Sequence, residues 1–188
     1  FALCNLKTKE RLLNQATRDP LTELYNRRFM LESFDQAINR AERHHLSLTF
    51  ILLDLDHFKQ FNDNFGHEAG DVVLRSIASV LKENLRLEDI ACRYGGEEFC
   101  IICPDTNLKD GFTLAEKIRN HVAKLSLYCG GKSLGRVTAS FGLSVYPNHA
   151  ESVLSLISKA DKALYRAKDS GRNRSEVSQP TNYAEQSS

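Results

Sequence analysis

Two short acidic segments carry the residues best suited to chemistry. Asp54-Leu55-Asp56 follows the apolar run Leu46–Leu53 (LSLTFILL), and Glu97-Glu98 follows Gly95-Gly96 within CRYGGEEFCI, Cys92–Ile101. Glycine weakens strands, and neighbouring carboxylates repel each other. If the second segment is a hairpin lying beside the first strand, three or four carboxylates converge. Such a cluster calls for a counter-cation, and hard divalent cations take oxygen ligands, Mg²⁺ on nucleotide phosphates being the usual case. Side-chain alternation predicts that Asp54 and Asp56 share a face, with Leu55 turned away but its carbonyl free to meet a metal. The same rule predicts opposite faces, and so different tasks, for Glu97 and Glu98. Gly95 and Gly96 allow a bulky ligand close to the backbone. Taken singly, each segment also reads as a solvated strand end or a charged hairpin tip. Together in one chain those readings are harder to hold.

The elements that must position these residues follow from periodicity. Met30, Phe34, Ile38 and Ala41 form an apolar stripe at helical spacing after the punctuation of Asp19-Pro20. Leu46–Leu53 has the length and continuity of a buried central strand. A second helix is predicted over Val72–Leu85, a third over Leu114–Leu125 and a fourth over Val153–Lys168, stopped by Gly171. Ile90–Tyr94 and Glu97–Cys103 read as a hairpin about Gly95-Gly96, where a primed turn demands positive φ. Gly130-Gly131 marks a second hairpin before further strand in Leu134–Tyr146. Phe1–Thr17 reads as a linker helix from an upstream, sensory-type region, since the chain begins at Phe1. Residues 176–188 read as a disordered polar tail. The fold class expected is α/β (α+β): a central mixed, mainly antiparallel sheet flanked by helices.

Composition narrows the function classes. The chain has 188 residues, 41% apolar and 26% charged, with 25 basic and 24 acidic side chains and a net charge of +1. No nucleic-acid polymer or membrane-surface partner is expected from that balance, while a local basic site for one phosphorylated ligand stays open. The five cysteines are Cys4, Cys92, Cys100, Cys103 and Cys129. Cys100 and Cys103 make a CxxC, but inside a strand they point to opposite faces. They read as buried hydrophobes in a reducing cytoplasm rather than as a metal or redox pair.

The segment RYGGEEF resembles the signature of GGDEF domains, the diguanylate cyclases, in the variant with glutamate at the third position. RDPLTELYNRRFM (Arg18–Met30), LLDLDHFKQFNDNFGHEAGD (Leu52–Asp71) and ADKALYRAKDSGRNR (Ala160–Arg174) resemble three further motifs in the family's order. Glu23 departs from the glycine or small residue more usual there. The resemblance covers roughly Arg18–Arg174, within a domain read as 18–175. It implies a fold related to class III nucleotide cyclases and polymerase palm domains. The implied reaction joins two GTP into cyclic di-GMP with loss of two pyrophosphates, across a homodimer of facing domains. Two Mg²⁺ ions per site, or Mn²⁺, would be held by Asp54, the Leu55 carbonyl, Glu97 and Glu98, about 4 Å apart.

The resemblance also assigns roles residue by residue. Glu97 or Glu98 would assist deprotonation of the 3′-hydroxyl, and Lys59 would stabilise phosphate charge. Asn62 and Asp71 would read guanine, with His67 and Phe58 beside them and Gly95 and Gly96 along the phosphates. His67 reads nearly as well as a structural residue, and Phe58 and Phe61 read as core ahead of site. Lys168 and Arg172 would bind the triphosphate, although by themselves they read as cations complementing a helix C-terminus. Arg86 and Asp89 (RLED) match the family's RxxD product-inhibition site. Lys117 stands where a supporting arginine is common, with Arg119 nearby. The rival readings are a silent module that senses GTP or cyclic di-GMP, a cyclase of relaxed base choice and a purely dimerising domain. Intact acidic residues argue against the first and last, and Asp71 against the second.

Overall fold

The computed structural model describes residues 16–180. The helix expected over Phe1–Thr17 and the last part of the expected tail fall outside them, apart from the helical Ala16-Thr17. The elements are β1 (Tyr25–Asn26), α1 (Arg27–His44), β2 (Leu48–Leu55), α2 (Phe58–Phe65), α3 (His67–Asn84), β3 (Ile90–Arg93) and β4 (Glu98–Pro104). They continue as α4 (Leu108–Ala123), β5 (Tyr128–Cys129), β6 (Lys132–Ser133), β7 (Ala139–Tyr146), α5 (Val153–Asp169) and β8 (Ser175–Val177).

Six strands form one sheet in the order β1-β3-β4-β2-β7-β8. The inner pairings β3–β4, β4–β2 and β2–β7 are antiparallel, while β1 and β8 add in parallel at the edges. The mixed, mainly antiparallel sheet is therefore as expected. Every residue of β2 is buried. Ile51, Leu53 and Leu55 face Val73 and Ile77 of α3 and Ile118 and Val122 of α4. Leu48, Phe50 and Leu52 face Met30 and Phe34 of α1 and Leu156 and Ala160 of α5. Period-two alternation thus splits one strand between two cores, and it puts Asp54 on the α5 side. Helix α5 lies directly on β7, because Gly142 leaves no room for more: a Cβ there would stand 2.1 Å from the Ala160 carbonyl. This close approach carries the end of α5 to the ends of β2 and β7. Among the described residues no helix is long and apolar enough to cross a membrane.

Cys100 and Cys103 are fully buried in opposite cores, as alternation requires. Burial pushes the Cys103 thiol far up. Four expectations need correction. Helix α2 did not show in the pattern, because its exposed face is a polar run, and α3 starts at His67 rather than Val72 because Gly66, at φ +82, divides the two. Helix α4 starts at Leu108, capped by the Asn107 side chain, instead of at Leu114. Ser175–Val177, assigned in part to a tail, pair with β7 as β8, and Ser178 is buried beyond them. Glycines 95 and 96 do not form a primed turn: four residues, Tyr94–Glu97, join β3 to β4, and neither glycine takes positive φ. The longer loop removes the need for it. The expected turn with positive φ is found instead at Gly130-Gly131, between β5 and β6.

Candidate active site

The sheet brings the two acidic segments together. Asp54 pairs in register with Glu98 across β2–β4, and the Leu55 N–H donates to the Glu97 carbonyl at 3.3 Å. Asp54 is only 7% exposed, and its Oδ2 lies 2.9 Å from Lys168 Nζ. Burial pushes the Asp54 carboxyl above its ordinary value, and the charge of Asp56 adds to this, against the pull of Lys168 and Arg172. Glu97 and Glu98 are raised as well, first by burial and then by Asp54, with Lys168 opposing. Asp161 and Glu97 raise Glu98 further. Both glutamates therefore feel the same two charges. The expected opposite-facing arrangement does not govern Glu97, which precedes β4 and lies in the turn.

The hairpin tip is pinned from outside. Arg93 donates through Nε and Nη2 to the Gly96 carbonyl at 3.2 and 2.8 Å, and its Nη1 pairs with Asp19 at 3.2 Å. Asp19 also accepts from the Thr22 hydroxyl and N–H. Burial pushes the Asp19 carboxyl up, but the bonds from Thr22 and the charge of Arg93 outweigh it and hold it low. Glu23, the departure from the family pattern, sits at φ +59, which explains why a glycine suits that position.

Asp56 shares the α5 side with Asp54 but is fully engaged. It accepts from Thr138 Oγ1 and Ser140 Oγ at 2.7 Å each, and from the Asn173 N–H at 3.0 Å. It is a structural acceptor, while Asp54 and the two glutamates keep raised carboxyls at the strand end. Among the described residues, no three His, Cys, Asp or Glu side chains already stand in a metal-holding group. Lys168 supplies the positive charge at Asp54. The remaining donors are all hard oxygens with unfavourable mutual charge, and this chemistry fits a divalent cation such as Mg²⁺.

The other predicted residues fall into three places. Lys59 is exposed in the first turn of α2, immediately after the acidic strand end. Asn62 of α2 packs against Gly70 of α3, where a Cβ would lie 2.1 Å from Asn62 Oδ1. That oxygen is buried without a hydrogen-bond partner among the described residues. Asp71 follows Gly70, half-exposed and paired only loosely with Arg75 at 3.9 Å. An unsatisfied amide beside an available carboxylate suits a base edge that offers donors. His67 is exposed at the start of α3, and Phe58 is 6% exposed in the core, stacked near Phe61. Lys168 and Arg172 both come within electrostatic reach of Asp54.

Arg86 and Asp89 form a turn of their own, with the Arg86 N–H donating to Asp89 Oδ2 at 2.9 Å. They line a cleft of about 360 Å³ with Arg18, Tyr25 and Lys82. Burial raises the Asp89 carboxyl. Lys117 is exposed on α4, and among the described residues no hydrogen bond or ion pair ties it to Arg86 or Asp89. Asp161 was not singled out in the sequence. It stands seven residues before Lys168, on the same face of α5, and helical periodicity was the signal that points to it.

Comparison with known proteins identifies the family. The family described as "Diguanylate cyclase, GGDEF domain" matches residues 16–174. The chain is 43% identical over 162 residues to the response regulator PleD of Caulobacter vibrioides, covering 86% of this chain and 36% of PleD. It is 42% identical to diguanylate cyclase DgcP of Pseudomonas aeruginosa, covering 87% of this chain and 24% of DgcP. The chain thus spans about a third or less of these curated relatives. The coiled coil and GGDEF domain of DgcB from Caulobacter crescentus, solved in complex with c-di-GMP, superposes with a TM-score of 0.87 at 34% identity, covering 94% of this chain and 93% of that one. The active GGEEF domain of a diguanylate cyclase from Vibrio cholerae gives 0.77 at 33% identity, covering 83% and 98%. The chain belongs to the GGDEF domain family of diguanylate cyclases.

Proposed function

We propose that this domain condenses two GTP into cyclic di-GMP and two pyrophosphates, one GTP bound to each of two facing copies. The observation that carries this reading is the convergence of Asp54, Glu97 and Glu98 at one strand end, where Asp54 pairs in register with Glu98 and burial holds all three carboxyls above their ordinary values despite the opposing charge of Lys168. Asp54, the Leu55 carbonyl, Glu97 and Glu98 would hold divalent metal, two Mg²⁺ or Mn²⁺ per site. When bound, the metal supplies Lewis-acid stabilisation of phosphate oxygens. The chain's own groups do the rest. Asn62 and Asp71 orient guanine by its donor edge, with His67 at the rim and Phe58 beneath. Lys59, Lys168 and Arg172 neutralise charge that develops on the phosphates. Glu97 or Glu98 takes the proton from the 3′-hydroxyl, a task for which a raised carboxyl is suited. Gly95 and Gly96 keep the tip slim against the nucleotide.

In the same reading, cyclic di-GMP binds at Arg86, Asp89 and Lys117 and inhibits, with Arg86 suited to bidentate phosphate recognition. Residues 18–175 are the catalytic unit. GTP as substrate and the free cysteines among the described residues, Cys92, Cys100, Cys103 and Cys129, support a cytoplasmic placement.

The test is to incubate concentrated protein with GTP and Mg²⁺ and identify products by chromatography and mass spectrometry. Cyclic di-GMP is expected, at a rate per protein that climbs with protein concentration. GTP bound without turnover would leave a sensing module instead.

A further inference from the structure

The turn after α5 is held by a polar bridge that the reaction as described does not use. Gly171, Arg172 and Asn173 take φ of +109, +62 and +46 in succession. Two of these residues carry side chains, for which that region is unfavourable, so the surroundings must impose the conformation. Asp56 imposes it from the strand side. It is 9% exposed and accepts from the Asn173 N–H at 3.0 Å while Thr138 and Ser140 hold it from the other direction. Arg119 imposes it from α4, donating through Nη1 to Asn173 Oδ1 at 2.9 Å and to the Asn173 carbonyl at 3.3 Å. Glu116 holds the other edge of that guanidinium with two bonds of 2.8 Å and also accepts from Ser175 Oγ at 2.7 Å.

The bridge therefore joins α4, the turn and the end of β2. The residues it flanks are Lys168, 2.9 Å from Asp54, and Arg172, which lies at the turn itself and acts on the charge of Asp54. The guanine-reading pair, Asn62 and Asp71, belongs to separate helices. Losing the bridge should therefore loosen the grip on phosphate and spare the grip on the base.

We infer that Asp56 and Arg119 are positioning residues for the triphosphate: they fix the 171–173 turn so that Lys168 and Arg172 face the acidic strand end. This rests on the reading of the site as a GTP site. A charge-assisted, bidentate hold on Arg119 suits such a role, because a fork fixes direction as well as distance.

The experiment measures binding by calorimetry, in Mg²⁺, of two probes to the whole chain. One is GMP. The other is a GTP analogue with a methylene group between the α and β phosphorus atoms, at the bond the reaction would break. The wild-type chain is expected to prefer the triphosphate. In Arg119→Ala that preference falls about tenfold, with GMP affinity unchanged. Arg119→Lys, which keeps the charge and loses the fork, gives a smaller fall, and it carries the test if Arg119→Ala does not fold. A folded Arg119→Ala with the full wild-type preference overturns the inference. So does a loss of both affinities in step with a lowered Tm, the mark of a merely structural residue. A wild-type chain with no preference for the triphosphate would overturn the GTP-site reading instead.

Discussion

Gly130-Gly131 joins β5 to β6 with φ of +55 and +77, in a two-residue turn with open space where either Cβ would stand; at Gly95-Gly96 neither φ is left-handed, and four residues join β3 to β4. The first pair is glycine for the sake of the backbone. The second is different. A Cβ at Gly95 would meet Glu98 Oε2 at 2.5 Å, so the missing side chain makes room for a carboxylate. Gly96 has nothing within 4 Å of its would-be Cβ, and its carbonyl is the anchor for Arg93. The same dipeptide thus serves chain reversal at one site and the placement of an acid at the other. A Gly-Gly hairpin signal is evidence of a loop, but it does not reveal which demand the glycines meet.

That contrast can be broken experimentally, and the largest effect should come from the carboxylate itself. Glu98→Ala should lower turnover by roughly 10³-fold, the scale of a lost acid–base or metal-holding group, while leaving the thermal transition nearly in place. Near-full activity would remove Glu98 from the mechanism. Gly95→Ala should act through the same carboxylate, lowering turnover by about tenfold to a hundredfold at little cost in stability. Its counterpart, Gly131→Ala, should do the reverse: it places a side chain at φ +77 and should cost about 1 kcal/mol, read as a lower denaturation midpoint with turnover unchanged. If both alanines acted on stability alone, the distinction between the two loops would collapse.

A smaller effect sharpens the electrostatic side. Asp54, Glu97 and Glu98 have raised pKa values in the folded chain, so they bind protons more readily folded than unfolded. Their contribution to stability is therefore fully present below the ordinary carboxylate pKa and is lost as pH rises through the folded values. A bound divalent cation should restore part of it. Mg²⁺ is expected to raise Tm by on the order of 2 °C at pH 7 and by less at pH 5, where protons compete. Equal shifts at both pH values would argue that the ion binds elsewhere.

Much of this was legible from local pattern. Leu46–Leu53 had to be a buried strand because no polar residue large enough to demand water interrupts it. The stripe Met30, Phe34, Ile38, Ala41 had to be one helix face, and it is the buried one. The acidic residues were legible as a cluster because both segments end or begin strand-like runs. Less was legible where the pattern was polar. Residues 58–71 hold α2 and the first turn of α3, yet only Phe58, Ala69 and Gly70 are buried there, so no stripe marks the start of either helix. The strand β8 was missed because its polar residues owe their order to pairing with β7.

The two aspartates of Asp54-Leu55-Asp56 divide what sequence decides from what only the fold can. Local alternation along the chain determined that they share a side of the sheet. Their separate fates came from residues more than 40 positions away. Asp56 meets Thr138, Ser140 and Asn173, which satisfy its oxygens, whereas Asp54 meets Lys168 and the charges of Glu97 and Glu98. Sequence carries the short-range terms, side-chain alternation and hydrophobic periodicity. The charge and hydrogen bonding of a buried carboxylate depend on what the closed sheet sets beside it, and that is decided only when β7 and α5 pack onto β2.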